Sequence, residues 1–110
     1  MTELPLDHVA IVSRNISADA QFYVSLGFTI EKLYGDWAML RDQSGRGIAL
    51  LSPDGAHPPH FALRAGSREA VESIARDCNG TVADHRDGSL SVYLTDPSGN
   101  TVEVIHYPGE

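Results

Sequence analysis

Leu40-Arg41-Asp42-Gln43-Ser44-Gly45-Arg46-Gly47-Ile48-Ala49-Leu50-Leu51 and Leu94-Thr95-Asp96-Pro97-Ser98-Gly99-Asn100-Thr101-Val102-Glu103-Val104-Ile105 are two versions of one segment, 54 residues apart. Leu, Asp, Ser and Gly recur in place and the apolar positions agree. Upstream of each copy, Asp7-His8-Val9-Ala10-Ile11 and Pro59-His60-Phe61-Ala62-Leu63 match in the same way, 52 residues apart. Self-similarity of this kind means that one supersecondary unit is used twice. The join falls near Ser52-Pro53-Asp54-Gly55-Ala56-His57-Pro58-Pro59, which gives modules of about residues 4–54 and 57–108 within one domain of residues 1–110.

Each half opens on a strand of period-two alternation, Leu6 to Val12 and Pro59 to Arg64. A helix follows, with Ser17 as expected N-cap and Gly27 as stop in the first half, and Ser67 and Gly80 in the second. Phe22, Tyr23 and Leu26, and then Val71, Ile74 and Ala75, fall at helical spacing and read as core. Three short strands come next, the last two joined by the turns Asp42-Gln43-Ser44-Gly45 and Asp96-Pro97-Ser98-Gly99. Each half therefore reads βαβββ, an α+β class.

Composition narrows the function. A 110-residue chain builds one ordinary core. Its net charge is −7 with the eight cations scattered, so no basic stripe exists to neutralise nucleic-acid phosphates. With 42% apolar and 21% charged residues the chain should fold, yet its apolar runs are far too short to span a bilayer. The opening Met1-Thr2-Glu3-Leu4-Pro5 has no signal-peptide pattern and Cys78 is the single cysteine, so a cytoplasmic protein without disulfides or membrane contact is expected.

Alternation also decides which side chains share a face. Val9, Ile11, Phe61, Leu63, Val102 and Val104 should face the helices, as should Ala38, Leu40, Leu90, Val92 and Leu94. His8, His60 and Glu103 then share the opposite face, with Trp37, Met39, Ser91 and Tyr93. Two histidines and a carboxylate from three strands form a donor set that leaves coordination positions open on a divalent metal. A polar residue repeated at one register of an apolar strand is costly unless something binds it.

At these residues the chain resembles the vicinal oxygen chelate superfamily, which includes glyoxalase I, extradiol dioxygenases, fosfomycin-resistance enzymes and bleomycin-binding proteins. Leu6-Asp7-His8-Val9-Ala10 is similar to the family's opening strand, Pro59-His60-Phe61-Ala62 to its fifth, and Tyr93 through Glu103 to its closing motif. The resemblance implies two curved half-barrel sheets with one helix each, metal ligands at His8, His60 and Glu103, and a homodimer. The fourth ligand of glyoxalase-like isomerases would stand at the first-half equivalent of Glu103, which is Ala49. Alanine neither ligates nor takes a proton, which disfavours that chemistry. Three ligands leave room on Fe(II) or Mn(II), with Zn(II) or Ni(II) as alternatives, for a chelating catechol-like substrate and O₂.

Asp84-His85 resembles the Asp-His element of small extradiol dioxygenases, which implies His85 as acid/base and Tyr93 as hydrogen-bond donor to substrate. Trp37, Met39, Arg64 and Ile105 are the expected walls of the substrate pocket, although Trp37, Met39 and Ile105 equally suit core or dimer contact. His57, in a Pro-rich loop, and His106, of opposite parity to Glu103, fall outside the expected ligand set. The favoured reading is an extradiol-dioxygenase-like metal enzyme acting on a small molecule. A lactoylglutathione lyase-like isomerase and a non-catalytic antibiotic- or metabolite-binding protein are the alternatives.

Overall fold

The computed structural model describes residues 3–55 and 57–109, so the opening Met1-Thr2, Ala56 of the inter-module join and Glu110 lie outside the described residues. The elements run β1 (Leu6–Val12), α1 (Ile16–Ser25), β2 (Thr29–Leu33), β3 (Trp37–Arg41), β4 (Gly47–Leu51), β5 (His60–Arg64), α2 (Arg68–Asp77), β6 (Val82–Asp84), β7 (Leu90–Thr95) and β8 (Thr101–His106). This is the α+β arrangement of two βαβββ modules that the repeat predicts. By contact density the chain divides into two compact units, one from Asp7 to His60 and the other from Phe61 onward together with residues 3–6. The second unit captures that leading segment through a hydrogen bond from the Arg64 amide to the Pro5 carbonyl, 2.8 Å, and through Leu4, which packs on its core.

In the first unit the strand order is β2-β3-β4-β1, with β1 parallel to β4 and the remaining pairs antiparallel. Ile16 and Ala20 of α1 close over Ala38, Leu40 and Leu50, with Ile11, Tyr23 and Ile48 at the margin. Leu40 and Leu50 are fully buried, a burial that stabilises the fold by about 1.5–3 kcal/mol for each side chain. The second unit repeats the pattern as β5-β8-β7-β6, with Val71 and Ala75 of α2 over Leu90, Val92 and Val104. Each turn between the last two strands is built the same way. Asp42 Oδ1 accepts from the amides of Ser44 and Arg46 at 2.9 and 3.0 Å, and Asp96 Oδ1 from those of Ser98 and Asn100 at 2.9 and 2.8 Å. The side chains of Ser44 and Asn100, then these amides, hold the two carboxyls below the ordinary aspartate range.

Three local expectations are corrected. The N-cap of α1 is Asn15, whose side chain accepts from the Ala18 amide at 3.0 Å, and Ser17 lies inside the first turn. Asparagine caps as well as serine, and the helix begins at the earlier of the two available oxygens. Phe22 and Leu26 are not core but 58% and 62% exposed, because Ile16, Ala20 and Tyr23 form the stripe that meets the sheet and the i, i+4 pair falls on its flank. Phe61, expected under a helix, is 37% exposed and Val9 41%. The two modules thus differ, since α2 exposes the charged residues Arg68, Glu69 and Glu72 where α1 exposes apolar ones.

After α2 the left-handed position is taken by Asn79, φ 55°, rather than by Gly80. Gly80 serves packing instead, for a Cβ there would stand 2.5 Å from Val92 Cγ2 and 3.2 Å from Leu94 Cδ2. Val92 is fully buried and β-branched, so it has little freedom to yield. Gly80→Ala should therefore cost about 1–3 kcal/mol through overpacking, read as a lower urea midpoint at unchanged slope. An unchanged midpoint would contradict this packing.

Candidate functional site

In the first unit, β1 turns His8 and Ala10 to the face opposite α1, and pairing with β4 sets Gly47 beside His8 and Ala49 beside Ala10. His8 is buried, and its Nδ1 lies 2.7 Å from Asp7 Oδ2. An ionised carboxylate only accepts, so the ring proton sits on Nδ1 and the nitrogen able to ligate is Nε2. His60, also buried, donates from Nδ1 to the Pro58 carbonyl at 2.7 Å, which again makes Nε2 the ligating atom. The two imidazoles meet edge to face with centroids 5.7 Å apart. Neither offers a metal its Nδ1. Ala49, 1% exposed, packs with Ala10, Met39 and Leu51 and with Trp37 beside them, so the position matching Glu103 is apolar and closed. Trp37 stacks on Tyr34 at 5.6 Å with planes 23° apart.

In the second unit Glu103 is buried on β8, with Tyr93 opposite it on β7 and Ile105 opposite Ser91. His85 follows β6 in a tight turn closed by hydrogen bonds from the His85 amide to the Ser89 carbonyl and from the Gly88 amide to the His85 carbonyl, 2.9 Å each. That turn swings the ring back onto the sheet. Its Nε2 hydrogen-bonds Ser91 Oγ at 2.6 Å and lies 3.5 Å from Glu103 Oε2, while the ring stands perpendicular to Tyr93 at 6.3 Å. The structure thus gathers His85, Tyr93 and Glu103, and adds Ser91, whose direct bond to His85 strand parity alone does not reveal. Ile105 is buried, and the Arg64 guanidinium lies 4.9 Å from the centroid of Tyr107, a cation–π contact not apparent in the sequence. His106 is tied to the Ala65 carbonyl through Nδ1 at 3.1 Å. A groove of about 740 Å³ in the first unit, lined by Arg14, Asn15, Tyr34 and Asp54 among others, includes none of the sequence-derived site residues.

The electrostatics of this cluster assign different capacities to its members. Glu103, by hydrogen bonding and then by charge, raises the His85 pKa above its ordinary value against the opposing effect of burial, with Asp87 and Asp84 adding to the rise. Burial first, and then the same carboxylate, push the Tyr93 hydroxyl far above the usual phenol range, so it remains a donor at any physiological pH. A raised histidine pKa adds stability that is complete below the unfolded value near 6.5 and is lost as pH rises through the folded value. In metal-free Glu103→Gln, an NMR titration should find the His85 pKa lowered, with burial then opposed by less charge. An unchanged pKa would show that Glu103 is not its cause.

No curated protein matches the chain. Among solved structures, methylmalonyl-CoA epimerase from Mycobacterium tuberculosis superposes with a TM-score of 0.72 at 20% identity, covering 94% of this chain and 87% of that one. A variant of homoprotocatechuate 2,3-dioxygenase from B. fuscum superposes with a TM-score of 0.72 at 17% identity over 96% of this chain, which spans only 35% of the dioxygenase. A variant of Streptomyces coelicolor methylmalonyl-CoA epimerase in complex with 2-nitronate-propionyl-CoA gives a TM-score of 0.71 at 20% identity, covering 97% of each chain. At these identities the likeness is one of fold. Residues 5–104 match the sequence profile that defines the family. The chain belongs to the glyoxalase/bleomycin resistance protein/dioxygenase superfamily.

Proposed function

We propose that His8, His60 and Glu103 hold one divalent metal ion, Fe(II) or Mn(II) in preference to Zn(II) or Ni(II), and that the protein is an extradiol-dioxygenase-like enzyme acting on a small catechol-like substrate. All three are buried, and as a group they could hold a metal ion. Both histidines already commit Nδ1 to an acceptor, the arrangement that metal-ligating histidines use to fix their tautomer. The observation that carries the reaction class is Ala49. Where the repeat would place a fourth ligand and base, the chain has a methyl group closed in by Ala10, Met39 and Leu51.

When bound, the metal supplies open coordination positions that bring a chelating substrate and O₂ together. The chain's own residues do the rest. His85, held by Ser91, exchanges a proton with a substrate hydroxyl. Tyr93 stays protonated and donates to a substrate oxygen. Trp37, braced by Tyr34, and Met39, Arg64 and Ile105 are the residues we assign to substrate contact. Residue exposure also supports a homodimer, since Phe22, Leu26 and Leu33 all stand more than half exposed. Light scattering at micromolar concentration reads this directly, with a dimer expected and a monomer contradicting it.

A second reading, an isomerase that shuttles a proton beside a carbonyl, draws on the epimerase neighbours, whose chains this one nearly spans. It lacks the base that Ala49 omits. The two readings separate in one experiment. Fe(II)-loaded protein given an o-diphenol should consume O₂ and form a yellow ring-opened product, with His85→Ala slower by ~10²-fold or more and His60→Ala devoid of bound metal. Isomerase or epimerase turnover under argon, with no oxygen uptake on any o-diphenol, would replace the first reading by the second. No helix among the described residues is long and apolar enough to cross a membrane.

A further inference from the structure

Asp7 and Arg41 form a charge pair in the first unit that has no counterpart in the repeat. Asp7 is 2% exposed, and besides accepting a hydrogen bond from the His8 ring its Oδ2 lies 3.2 Å from Arg41 Nη1. Arg41 is itself fixed. Its Nη1 donates to the carbonyls of Asp7 and Gly45, each at 3.2 Å, and its Nε lies 3.3 Å from Glu31 Oε2. The guanidinium reaches Asp7 by passing over Gly47, the residue that pairs with His8 across the sheet. A Cβ at Gly47 would come within 2.9 Å of Arg41 Nη1 and 3.1 Å of His8 Cβ, so the absence of a side chain there admits the pair.

In the second module the residue before the equivalent histidine is Pro59, and the residue matching Arg41 is Thr95. His60 is oriented by a neutral backbone carbonyl. The Nδ1 of His60 thus meets a neutral carbonyl, whereas the first module turns a buried carboxylate and its partly buried arginine to the same task. Buried pairs cost more than neutral or apolar alternatives unless they serve something beyond stability. An anionic partner on Nδ1–H also pushes electron density toward Nε2 and makes it the stronger donor, which a carbonyl does only weakly.

We propose that Asp7 and Arg41 are positioning residues that hold His8 as the Nδ1–H tautomer and strengthen its Nε2 as a metal donor, so that His8 is the stronger of two unequal imidazole ligands. The proposal rests on the metal reading above, and its first test does not. In the metal-free protein, long-range ¹H–¹⁵N spectra of neutral His8 should place the proton on Nδ1. A proton on Nε2 overturns the proposal whether or not metal binds, whereas failure of the wild type to bind metal, with the proton on Nδ1, overturns the metal reading and the ligand half of the proposal and leaves the tautomer assignment standing.

The second test is Zn(II) affinity, measured by competition with a chromophoric chelator. Asp7→Asn keeps the shape and a neutral acceptor while removing the charge, and should weaken binding about 10–100-fold. Arg41→Met should weaken it in the same direction, and Arg41→Lys should recover part of the loss. A purely structural pair would lower the melting temperature in these variants and leave affinity and tautomer unchanged. Affinities of folded Asp7→Asn and Arg41→Met within twofold of wild type would overturn the proposal. If Asp7→Asn does not fold, the Arg41→Met and Arg41→Lys pair and the wild-type tautomer decide it.

Discussion

The period-two alternation of the strands sets which side chains can meet on each sheet face, His8, His60 and Glu103 among them. A helix covers one face of each four-stranded sheet, and the residues that fall there, Leu40 and Leu50 in one unit and Val92 and Val104 in the other, make the core. The odd-and-even rule then sends every intervening residue to the other face. His8, Ala10, Ala49 and Met39 share it in the first unit, and Ser91, Tyr93, Glu103 and Ile105 in the second. A one-residue slip in β1 or β8 would put Val9 where His8 stands, or Val104 where Glu103 stands, and bring the polar side chain to the core face.

Duplication supplies the framework and divergence supplies the function. The two modules keep their element order and even the aspartate that closes each last turn. They differ where chemistry would be placed. One histidine is set by a buried carboxylate and arginine, the other by a carbonyl. One module has Glu103 at the repeat's carboxylate position and the other Ala49. The acid/base candidate His85 belongs to the second module alone, carried by the turn between Asp84 and Leu90. This asymmetry is why the reaction is argued from single residues rather than from the shared fold.

The sequence makes the framework legible because repeat and alternation are long-range regularities that many residues report together. It also marks His8, His60 and Glu103, since polar residues at inward registers of apolar strands stand out. It fails where a single interaction decides. Asn15 and Ser17 are both good caps, and only the three-dimensional start of α1 chooses Asn15. Phe22 and Leu26 have core-like spacing, but the contact stripe set by Ile16 and Ala20 leaves them on the flank. The reach of Arg41 to Asp7 follows from the His8–Gly47 register and not from their separation in the sequence. The Ser91–His85 bond needs the turn geometry, which no spacing rule contains.

Pulsed EPR of the Mn(II)-loaded protein tests whether one metal ion is ligated by two imidazoles and one carboxylate. Nitrogen couplings from two directly coordinated histidines are expected, and His8→Ala and His60→Ala, each short of one ligand, should show no protein-bound Mn(II) signal. Spectra showing no histidine nitrogen bound to manganese, in protein that is folded and loaded, would contradict it.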